Sequence, residues 1–108
     1  MQGRLNSLWG DVYSLDPLNG TEHLLTPAEA ARVLGGEVSL WGEEIDAADV
    51  LQRAWPRAAA FAERMWSPRQ RASSVTEAAP RLARFACRLK ARGVPAQAIS
   101  PGSCFQRT

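Results

Sequence analysis

"LGGEVSLWGEEID", residues 34–46, is the stretch that decides how this chain is read. Val38 and Leu40 follow the Gly35-Gly36 pair, and Trp41 stands two residues before Glu43, with Glu44 beside it. A short, apolar, glycine-flanked run predicts a strand over 33–41, buried on both faces as in a parallel sheet. Such a strand needs neighbours on both edges to pair its backbone N–H and C=O groups. Residues 1–25, turn-rich with Asp16-Pro17 and Asn19-Gly20, offer at most a weak one.

Everything downstream reads as helix. Thr26-Pro27-Ala28-Glu29 has the form of a helix start, with a capping threonine, a proline at the first helical position and a glutamate three residues after the cap. Asp49 is placed to cap a turn at 50–54. Helical spacing of Ala58, Ala59, Ala62, Met65 and Trp66 predicts a helix that Ser67-Pro68 ends, with Trp55 and Trp66 in its packed layer. A last helix is expected from near Thr76, with Pro80 close to its first turn. Leu82, Phe85, Ala86 and Leu89 form its apolar stripe, and Gly93 its left-handed cap. Strand, helix, helix and an extended tail over 94–108 is the pattern of the end of an α/β protein, with the helices spread over 49–93.

Bulk properties exclude some classes. At 108 residues the chain suits one domain with a modest core. Residues 1–52 carry two arginines against nine acids, a net of −7, and residues 53–108 carry eleven basic residues against two acids, a net of +9. The arginines are spread along helices without a nucleic-acid motif, so no nucleic acid is expected as partner. No apolar run approaches the roughly 20 residues of a membrane span. The N-terminal residues have no hydrophobic signal core. His23 has no cysteine or second histidine nearby, and Gly35-Gly36 lacks the spacing of a phosphate loop, so neither metal nor cofactor is expected. Cys87 and Cys104 are either two buried thiols or a disulfide; their spacing does not decide. Asn19-Gly20-Thr21 is a glycosylation sequon in a loop.

The chemistry sits at the strand's carboxyl end, where α/β barrels place their ligands. An indole ring packs on the apolar face of a pyranose, and a carboxylate accepts hydrogen bonds from its hydroxyls at about 1.5–3 kcal/mol each. Trp41 and Glu43 are therefore a candidate sugar site, against the plainer reading of a core tryptophan and a solvated loop acid. Glu37, an acid within an apolar strand, must be paired or face a polar lumen. The adjacent Glu43 and Glu44 do not make a glycosidase pair, whose carboxylates flank the substrate at about 5–9.5 Å.

Three stretches, "VLGGEVSLWGEEID" (33–46), "AWPRAAAFAERMWS" (54–67) and "RLARFACRLKARGVPAQAISPGSC" (81–104), together resemble the C-terminal part of glycoside hydrolase family 20, the β-N-acetylhexosaminidases, lysosomal type. "WGDVYSLDP" (9–17) fits the family's Trp-x-x-x-Tyr-x-x-(Asp/Glu)-Pro. The resemblance implies the last strand, last helices and tail of a (β/α)8 barrel. It places Trp41 as a wall for a terminal N-acetylhexosamine and Glu43 as acceptor for its hydroxyls. It implies a Cys87–Cys104 disulfide tethering the tail. It implies a glycan substrate, the rest of the barrel or a partner subunit as companion, and a lysosomal or secreted location. The family's reaction is substrate-assisted and retaining, with an Asp-Glu pair as the acid machinery; no Asp-Glu dipeptide occurs in these 108 residues, so no catalytic residue is assigned to the chain. The tyrosine expected just before Trp9 is absent, with only Leu5-Asn6 in that region, and Glu44 stands where an aromatic residue is common. The competing expectations are a non-catalytic product that docks on a partner chain and a small, disulfide-stapled secreted helical module.

Overall fold

The computed structural model describes residues 9–43, 45–69, 71, 74–99 and 104. Five helices follow in order: α1 (Trp9–Tyr13), α2 (Pro27–Ala30), α3 (Val50–Ala54), α4 (Arg57–Trp66) and α5 (Val75–Ala91). α2 has a complete capping box: Thr26 Oγ1 accepts from the Glu29 amide, and Glu29 accepts from the Thr26 amide. α5 starts at the Ser74 cap, whose hydroxyl accepts from the Glu77 amide. It ends in a Schellman motif: the Gly93 amide donates to Lys90 and the Val94 amide to Leu89, with Gly93 at φ 89°.

α1 packs on α4, and α5 closes the core. Tyr13, Ala60, Ala78 and Leu82 form its buried centre, with Trp9, Ala59, Val75 and Ile99 against it. The tail returns to this body. The Gln97 amide donates to the Trp55 carbonyl, Ala96 is buried, and Cys87 is bonded to Cys104. The body is a slab, 47 × 38 × 20 Å, with a radius of gyration of 15.4 Å. A compact chain of this length has about 13 Å.

Four expectations need correction. Residues 33–41 form no strand, and there is none among the described residues. From 34 to 43 the backbone makes no hydrogen bond among the described residues. A ladder needs a neighbouring chain at about 4.8 Å, and the helical body supplies none. Trp66 is 89% exposed rather than packed, because it lies about 120° around α4 from the buried Ala60. Pro80 is the sixth residue of α5, beyond the first turn, so the bond it would donate to Thr76 cannot form. Asp49 does not cap α3; its carboxylate accepts from the Asp46 amide behind it and pairs with Arg53.

Candidate functional site

The segment 33–43 leaves α2 and crosses the outside of the body. Leu34 is 93% and Trp41 65% exposed, and Val38 and Leu40 are about half exposed. Gly42 and Glu43 form a turn immediately after Trp41. A side chain at Gly42 would meet nothing within 4 Å, so the turn is open on that side. The Glu43 carboxylate is exposed and has no hydrogen-bond or ion-pair partner among the described residues. Trp41 and Glu43 thus flank one open turn, with the ring uncovered and the carboxylate unengaged. Glu37 is exposed four residues upstream. Glu44 lies outside the described residues, as do Leu5 and Asn6.

The other candidates are scattered. Asn19 is exposed in the turn after Pro17, and His23 is exposed in the next turn. Among the described residues no group of three or more His, Cys, Asp or Glu could hold a metal ion. A cavity of about 150 Å³ is lined by Trp9, Pro56, Arg57, Gln97, Ala98 and Ile99. It excludes Trp41 and Glu43, and is smaller than the about 300 Å³ at which small-molecule sites begin.

Charge clusters that the sequence did not announce fix the helical body. The Asp16 carboxylate accepts from the Leu18 amide at 2.9 Å and from Arg69, and pairs with Arg64 at 3.5 Å. Burial, the largest single influence, raises the Asp16 pKa; the Leu18 amide, Arg69 and Arg64 together outweigh it and hold the carboxyl below its usual range. Arg64 also donates to the Leu15 carbonyl. Near Tyr13, Glu63 pairs with Arg81 at 2.8 Å. Burial first, then the Glu63 charge, raise the pKa of the Tyr13 hydroxyl, against the opposing charge of Arg81.

Comparison with known proteins places these features. The description "Glycosyl hydrolase family 20, catalytic domain" matches residues 3–69, more than half of the chain. The chain belongs to this family. It is 46% identical over 110 residues to "Beta-hexosaminidase 1" of Arabidopsis thaliana, covering 90% of this chain and 20% of that protein. It is 43% identical over 100 residues to "Beta-hexosaminidase subunit alpha" of Mus musculus, covering 91% and 18%. With "Beta-hexosaminidase subunit beta" of Rattus norvegicus the identity is 42% over 98 residues, covering 89% and 17%. The chain therefore spans about a fifth of the length of these relatives.

Membership in a family of glycoside hydrolases gives the 9–17 motif a physical meaning. In this family-20 chain Tyr13 fills the core, Trp9 packs edge-on against it at 6.3 Å, and Asp16 ties the α1 end to α4. Sequence reading takes Asp16-Pro17 as a turn and as the end of the family-like motif, without its arginine partners. The only available hint was Arg64 and Arg69, five residues apart, and nothing in their local context names an acid about fifty residues upstream.

Proposed function

We propose that this chain is the part of a β-N-acetylhexosaminidase that supplies one wall of the sugar pocket. The observation that carries the reading is the open turn with an uncovered Trp41 and an unengaged Glu43. An indole face takes the C–H face of a pyranose, and the carboxylate two residues on accepts its hydroxyl hydrogens. The substrate class is a glycan ending in a β-linked N-acetylglucosamine or N-acetylgalactosamine. The reaction proposed for the complete protein is substrate-assisted and retaining. The substrate's acetamide oxygen forms a bond to the anomeric carbon as the glycosidic bond breaks, an acid protonates the leaving oxygen, and water then opens the cyclic intermediate. The family's Asp-Glu pair would orient the acetamide and supply the acid. The chain's own share is binding, because it has no Asp-Glu pair.

The barrel supplies the rest of this reading. Residues 33–41 become its last strand once neighbouring strands pair their free backbone groups, whether these belong to the same polypeptide or to a partner. A lysosomal or secreted location follows from the resemblance, and suits both the Cys87–Cys104 bridge and the exposed Asn19 sequon.

The test uses a chimera in which this chain replaces the matching fifth of the Arabidopsis thaliana Beta-hexosaminidase 1. Trp41→Ala is expected to weaken product inhibition by N-acetylglucosamine by about tenfold or more, and Glu43→Gln by a factor matching about 1.5–3 kcal/mol. In the 108-residue chain the melting temperature should barely change for Trp41→Ala or for the control Trp66→Ala, since the rings are 65% and 89% exposed. The 108-residue chain alone should not cleave a chromogenic N-acetyl-β-glucosaminide. Normal inhibition in both pocket variants would refute the reading.

A further inference from the structure

Gly36 is not a glycine for torsional reasons. Its φ lies outside the left-handed region that Gly20, Gly35 and Gly93 occupy. A Cβ added at Gly36 would stand 3.1 Å from Phe61 Cζ and 3.9 Å from Phe61 Cε2. The missing side chain therefore makes room for the edge of a phenyl ring on α4. Phe61 follows Ala60, which is fully buried, and α4 is held on two sides by Asp16–Arg64 and Glu63–Arg81. The ring therefore sits on an anchored helix of the body, against a segment that is otherwise largely exposed.

Along an extended chain, side chains alternate between faces. If position 36 faces α4, so do Val38 and Leu40, while Glu37, Ser39 and Trp41 face away, and Glu43 follows in the turn after Trp41. From Gly36 onward the exposures agree in order, with Val38 at 49% and Leu40 at 44% less exposed than Trp41 at 65%; before the glycine pair the order is reversed, Leu34 at 93% against Val33 at 40%, so the alternation starts at Gly36. We infer that Phe61 is a positioning residue for the Trp41–Glu43 turn. Its ring edge seats Gly36, sets the height of segment 36–41 over α4, and turns Trp41, with the Glu43 turn that follows it, away from the helix. This rests on the sugar-wall reading only for its functional consequence; the seating itself does not require it.

The test is a size exchange in the 108-residue chain labelled with 5-fluorotryptophan. The chain has four tryptophans, and the Trp41 signal is identified by its loss in Trp41→Phe. Gly36→Ala brings a Cβ to 3.1 Å from Phe61 Cζ, so segment or ring must give by a few tenths of an ångström, which should shift or split the Trp41 signal. Phe61→Leu removes the colliding atom and should by itself also move it. The double variant Gly36→Ala, Phe61→Leu should return the signal toward its original position, which a general loss of packing would not do. A Trp41 signal indifferent to Phe61→Leu, or a double variant no closer to the original than Gly36→Ala, overturns the inference. In the chimera the same series reads the function. KM for the chromogenic substrate should rise by about tenfold in Gly36→Ala, short of the about hundredfold that a 1 Å misplacement can cause, and recover in the double variant. A Trp41 signal that moves and recovers while KM stays constant supports the seating and sinks the sugar-wall reading instead.

Discussion

Asp16 is expected to be the most consequential charge in the body, and Asp16→Ala measures it. The Asp16 side chain is 12% exposed and that of Arg64 9%, whereas Arg69 is 51% exposed. Truncation leaves the Arg64 guanidinium nearly buried without its carboxylate, and removes the acceptor of the Leu18 amide. Breaking a buried pair by removing one partner costs about 3–5 kcal/mol. The slab is 20 Å thick in its smallest dimension, so water lies close and the lower end of that range applies, about 3 kcal/mol. Arg69→Ala removes a half-exposed partner from a carboxylate that keeps Arg64, and should cost about 1 kcal/mol or less. Urea titration followed by far-UV circular dichroism reads both numbers, provided the slope stays constant. Equal losses for Asp16→Ala and Arg69→Ala would refute the reasoning, because burial would then carry no weight. The same conclusion follows if Asp16→Ala costs less than about 1 kcal/mol.

The pH arm has a definite sign. The folded-state pKa of Asp16 lies below its unfolded value of about 3.9. Its contribution is therefore complete above about pH 4, and is lost as pH falls through the folded value. Asp16→Asn should flatten that part of the acid limb. An unchanged acid limb would count against the clasp.

Two further outcomes follow from the α5 end and the tail. Gly93→Ala should lower stability by about 1 kcal/mol through torsion alone, since its φ is 89° and an added Cβ meets nothing within 4 Å; an unchanged urea midpoint would contradict the Schellman assignment. Cys104→Ser opens a loop of 17 residues and should cost about 3 kcal/mol, with mass spectrometry of the unaltered oxidised chain showing the Cys87–Cys104 peptide.

What was legible in the sequence was what closes within about five residues along the chain. The Thr26–Glu29 box and the Gly93 cap depend on neighbours along the chain, and each partner is named by its spacing. What was not legible was set by distant contacts. Asp16 meets Arg64 and Arg69 across separations of 48 and 53 residues, and no local pattern points from one to the other. Trp66 shows the second kind of failure. Apolar spacing identified α4 as amphipathic, but small alanines on one side left two faces eligible. The buried side turned out to be the one carrying Ala60, the side that α1 and α5 cover. Asp49 shows the third: one carboxylate had two amides in reach, and the one behind it at Asp46 won.

The segment 33–43 is where sequence and structure differ most, and the difference has a single physical source. Its composition is that of a strand covered on both faces, with Val33, Leu34, Val38 and Leu40 apolar in close succession. Its surroundings are those of a chain with only one side engaged, through Gly36 on Phe61. Its backbone groups are unpaired among the described residues, and its apolar side chains are 40% exposed or more. A lone segment satisfies its amides with water but leaves that apolar area uncovered, and a covering helix alone would bury the area without pairing the amides. Adjacent strands do both at once, since they bring ladder partners and a second packed layer together. The same step would place the face bearing Glu37, Trp41 and Glu43 toward the inside of a barrel, where an acid needs a polar lumen and an indole needs a ring to stack on. On the proposed barrel reading, the acid within the apolar run and the tryptophan at its end have one explanation.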